Sequence, residues 1–64
     1  MEGVMDAAQI QSYARQLYEL QGAKAIAEAA HKAQAFEKNN DREQAATWRR
    51  IEAALIELRG PGHS

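Results

Sequence analysis

The 64 residues carry eight basic and nine acidic side chains, a formal net charge of −1, and no cysteine. Such a balance gives no field of one sign to attract nucleic acid or anionic lipid, and the missing thiols exclude disulfides and cysteine-ligated zinc or iron–sulfur centres. A chain this short holds one small core and buries only ~60% of the surface its unfolded form exposes.

Fourteen alanines lie between Asp6 and Leu58, scattered among a thin set of large apolar residues. That composition suits closely packed helices. Charge is even along the chain, and no uninterrupted apolar run approaches the ~18 residues of a membrane-spanning helix. Neither a basic n-region nor an apolar h-region opens the sequence, so the cytoplasm is the default expectation. Residues 1–64 read as a single helical domain, with disordered tails expected at 1–5 and 60–64.

The first helix should begin after Asp6, which can cap the following amides, with Gln9 at the reciprocal capping-box position. Ile10, Tyr13 or Ala14, Leu17 and Leu20 then recur at helical spacing, with Tyr18 on the shoulder of that face. A helix from about Ala7 to Gln21 follows. Gly22 opens an ambiguity. Continuing the first stripe reaches Lys24, Glu28 and His31, whereas the apolar positions beyond Gly22 are Ile26, Ala29 or Ala30, Ala33 and Phe36. The face slips by almost two residues. A break at Gly22 would restore a common core; one long helix would aim Ile26 and Phe36 at a different neighbour.

Lys38-Asn39-Asn40-Asp41 reads as a loop, because Asn tolerates the left-handed conformation that ends a helix and Asp41 can cap the next, with Gln44 at the box position. In the final helix Ala45, Trp48, Ile51, Leu55 and Leu58 form one stripe, Ala54 lies beside it and Ile56 lies off its centre. Gly60-Pro61-Gly62 stops it. The fold class is therefore all-α, an antiparallel helical hairpin preceded by an N-terminal helix. It has three short helices, or two if the chain is continuous through Gly22. The expected core is Ile10, Leu17, Ile26, Ala30, Ala33, Phe36, Trp48, Ile51, Leu55 and Leu58, with Phe36 and Trp48 covering the base of the loop.

Tyr18-x-x-x-Gly22, then His31-Lys32-Ala33 and Asn39-Asn40, resembles a single tetratricopeptide-type helix–turn–helix repeat over Tyr13–Asn40. The sequence departs from that pattern in lacking a proline near the second helix's end. The resemblance implies a module that holds protein partners and does no chemistry, although one repeat alone makes no groove.

Candidate chemical sites are sparse. Glu28 and His31 share a helix face, but a structural zinc takes four ligands and the only other histidine is His63. Glu28 with Lys32 is an ordinary i,i+4 pair, and Ser12 on the first helix is no nucleophile for His31. Neither catalysis nor a cofactor is expected. Trp48-Arg49-Arg50, with Lys38 and Arg42, could form a basic patch, yet Glu43, Glu52 and Glu57 share the helix. The surplus apolar residues say more. Tyr13, Tyr18, Leu20 and Ile56 cannot all face the centre of one thin bundle, and they are expected to border a homodimer interface. A small self-associating interaction module follows. The alternative is an accessory subunit or adaptor docking on a larger protein, and a nucleic-acid-binding regulator stands behind both.

Overall fold

The computed structural model describes residues 6–60, which form α1 (Ala7–Gln21), α2 (Lys24–Lys38) and α3 (Arg42–Arg59), with no strand among the described residues. Of the tails expected at 1–5 and 60–64, residues 1–5 and 61–64 lie outside the described residues, whereas Gly60 lies inside and caps α3.

Short-range chemistry sets each boundary. The Gln9 N–H donates to Asp6 Oδ1 at 2.9 Å and the Asp6 N–H donates to Gln9 Oε1 at 3.1 Å, a complete capping box. Gly22 ends α1 at φ 66° and ψ −147°, a conformation open to glycine and costly for other residues, with its N–H on the Tyr18 carbonyl at 2.7 Å. Ala23 is already helical at φ −61° and ψ −21°. Only Gly22 and Ala23 separate α1 from α2, and of the two readings open in the sequence the broken helix is the one adopted.

Asp41 serves two helices at once. Asn40 sits at φ 62°, its N–H reaches the Glu37 carbonyl at 3.1 Å, and the Asp41 N–H reaches the Phe36 carbonyl at 2.9 Å. Those two bonds make a Schellman closure of α2. The Asp41 carboxylate meanwhile accepts the Gln44 N–H at 3.3 Å and opens α3. Because Asp41's own amide is engaged by Phe36, the reciprocal bond that Gln9 makes in α1 has no donor here. Gly60, at φ 99°, closes α3 with its N–H on the Ile56 and Glu57 carbonyls.

Helix α3 is the hub: it packs most extensively against α2, next against α1, while α1 and α2 touch least. The interior comprises Ile10 and Ala14 from α1, Ala25 and Ala29 from α2, and Ile51, Ala54 and Leu55 from α3. Ala33 and Ala45 are buried on the two arms of the hairpin nearer its loop. Six of these nine buried residues are alanine, and only Ile51 and Leu55 are large and below 2% exposed. The helices thus approach closely around a shallow centre.

That small-residue interior changes the expected core. Leu17, Ile26, Trp48 and Leu58 are half-buried and line the central cluster. Ala30 and Phe36 are also half-buried but lie outside it, and the buried turn of α2 belongs to Ala25 and Ala29. The phase slip inferred at Gly22 disappears accordingly. Ala14 and Ala25 are eleven residues apart, three helical turns to within about 20°. The slip is a property of the large side chains, which flank the buried stripe.

Candidate interaction surface

Apolar groups that the bundle leaves in solvent mark the surface of interest. Leu20 is 82% exposed, Ile56 43% and Tyr13 37%. Tyr18 differs from them: it is half-buried and packs on the central cluster, so it serves the bundle wall. Tyr13 and Leu20 stand seven residues apart on α1 and share one stripe. Ile56 belongs to a different stripe, on α3, where it follows Arg49 and Glu52 at i+7 and i+4. Tyr13 and Leu20 thus share a face of α1, and Ile56 lies on a different helix.

Tyr13 is held in place. Its ring meets Trp48 edge-on, with centroids 6.0 Å apart and planes at 72°, and Lys32 Nζ lies 5.3 Å from the Trp48 centroid. One side chain from each helix converges there. Edge-to-face packing and a cation over the indole both follow the ring quadrupole. The indole thus contacts both neighbouring helices, and Tyr13 is a half-wet member of the α1 stripe.

Charge on α3 is organised differently from a phosphate site. Arg49 grips Glu37 of α2 through Nε and Nη2, both at 3.2 Å, and reaches Glu52 through Nη1 at 3.0 Å. These hydrogen bonds, with Glu37 first, raise the guanidinium above its ordinary pKa. Arg49 therefore joins two arms of the hairpin and is withdrawn from the basic patch expected with Lys38, Arg42 and Arg50. Arg42 and Arg50 remain exposed. His31 is exposed in a shallow depression with Gln34, Ala35 and Lys38, and no three potential metal ligands cluster among the described residues.

A feature with no counterpart in the sequence pattern is a groove of about 350 Å³ between the start of α1 and the second half of α3. Ile10 and Ala54 form its floor, Ala7 and Ala53 its sides, and Arg50 and Glu57 its charged rim. Alanine carries little hydropathic weight, so Ala7 and Ala53 give no signal. Only the placement of two helices turns them into a wall. The arrangement as a whole can appose apolar surfaces edged by charges of both signs.

Among the described residues no helix is long and apolar enough to cross a membrane. No family model matches the chain, and no curated protein or solved structure matches it either.

Proposed function

We propose that this chain is a non-catalytic helical interaction module that pairs with a second copy of itself. The carrying observation is Leu20, a leucine left 82% exposed on the same α1 stripe as Tyr13. Fully burying such a side chain returns ~1.5–3 kcal/mol, and a two-fold interface uses each residue twice. A shallow alanine-lined interior makes that gain count for more than it would in a larger domain. The likeness to one tetratricopeptide-type repeat supports the same reading, since a lone repeat needs neighbours to form a binding surface.

Sedimentation equilibrium from micromolar to several hundred micromolar tests the proposal. A concentration-dependent dimer is expected, and Leu20→Ser should weaken it while leaving helix content intact. A folded 7.1 kDa monomer throughout that range overturns the reading.

The α1–α3 groove supports a second reading, an accessory subunit that receives an amphipathic helix of a larger protein. Alanine walls admit a helix backbone, and Arg50 and Glu57 offer both signs at the rim. Ala53→Gln would fill the groove and abolish copurification of such a partner, whereas Leu20→Ser would spare it. Phosphate binding through Arg42 and Arg50 ranks below both, because Arg49 is already paired; salt-dependent retention on heparin would favour it.

A further inference from the structure

Resting on that self-association, we propose that the two copies exchange α1: the helix leaves its own α3 and packs on the α3 of the second copy, with Gly22 as the hinge. In the exchanged form α1 and α2 run together as one helix.

The junction is poised for this. Gly22 is the single non-helical residue between α1 and α2, since Ala23 already has helical dihedrals. A Cβ added at Gly22 would meet nothing within 4 Å, so no neighbouring atom crowds the corner itself. Helix α2 also begins without a side-chain cap, in contrast to the starts of α1 and α3, which Asp6 and Asp41 cap. Running the helix through Gly22 would carry the Ala23 and Lys24 amides onto carbonyls of α1, whereas those of Ala25 and Ile26 already reach the Gly22 and Ala23 carbonyls at 3.0 Å.

Register supplies the reason for a second copy. Ala14 and Ala25 fall within about 20° of one another, so on a straight helix Ile10 and Ala14 continue into Ala25, Ala29 and Ala33 as one stripe that winds by about 140° from end to end. Thirty-two residues from Ala7 to Lys38 would span about 48 Å, against about 27 Å for the 18 residues of α3. One α3 covers only the α2 half, and the α1 half fits the α3 of another copy. Little is lost in the exchange, because α1 packs mainly on α3 and least on α2. Contacts such as Tyr13 with Trp48 re-form between copies.

Leu20 then acquires a neighbour. Leu20, Ala23 and Ala27 are all exposed and lie at i, i+3 and i+7 of the straightened helix, beside the hinge. Where two such helices cross, Leu20 of one copy packs over the small Ala23 and Ala27 of the other.

Sedimentation equilibrium with far-UV circular dichroism on three full-length chains decides the matter: the native one, Gly22→Ala, and one with Gly-Ser-Gly inserted after Gly22. Alanine favours the continuous helix at both hinges, so Gly22→Ala should tighten the dimer roughly a hundredfold. The longer hinge lets each copy close on itself, so the insertion should give a folded monomer. A native dimer whose affinity neither variant alters overturns exchange and leaves pairing of closed copies. Native and Gly22→Ala chains that both stay monomeric at several hundred micromolar overturn self-association as well. If Gly22→Ala loses helix content, the insertion alone decides: a folded monomer supports exchange, and a retained dimer overturns it.

Discussion

Trp48 shows how a residue's role depends on partial burial. The indole lines the central cluster from a half-buried position, with Tyr13 at its edge and Lys32 over its ring. Full burial would make Trp48→Ala cost ~3–5 kcal/mol, so a half-buried ring should cost about 2–3 kcal/mol, read from urea unfolding. Alanine positions should be less forgiving of growth. Ala29 is 1% exposed where α2 meets the cluster, and Ala29→Leu should destabilise by ~1–3 kcal/mol through overpacking. Ala27, two residues away and exposed, should accept leucine without overpacking the interior of the bundle. A thermal melt of the two variants separates interior from surface alanine, a distinction invisible to hydropathy.

Within each helix, boundaries follow from bonds between residues three to five apart. Asp6→Ala removes one capping acceptor and should cost ~1 kcal/mol of stability in a urea titration. Asn40→Ala, which places an ordinary side chain at φ 62°, should cost ~1–2 kcal/mol, whereas Asn40→Gly should hold or raise the melting temperature. Start and stop residues are legible in the amino-acid order because the groups that cap a helix are its close neighbours along the chain. The expected span of the first helix, Ala7 to Gln21, coincides with α1. The break at Gly22 is legible only as a choice. Both flanks are good helix formers, and the phase shift among Ile26, Phe36 and the α1 stripe describes flanking side chains rather than the buried face.

Across the bundle, the ion pairs contribute orientation more than stability. Arg49 and Glu37 are 45% and 48% exposed, and water screens such a pair. Glu37→Gln should therefore leave the melting temperature close to native in physiological salt, as scanning calorimetry would show. What the bundle lacks is interior volume: α3 receives α1 and α2 through alanine, and Leu20 is left in solvent. Surplus apolar residues are legible in composition, but their grouping is not. Tyr18 turns inward, Tyr13 and Leu20 share a stripe, and Ile56 falls on another.

The order of residues alone dictates the all-helical class, the caps at Asp6 and Asp41, the loop at Asn39-Asn40 and the excess of apolar side chains. Each of these depends on composition or on groups a few residues apart, which a linear reading captures. Helix packing settles which side of α2 is interior, ties Arg49 to Glu37, and makes Ala7 and Ala53 the walls of a groove. Those outcomes depend on how near two helices can come, and alanine permits a close approach while leaving almost no trace in a hydrophobic pattern.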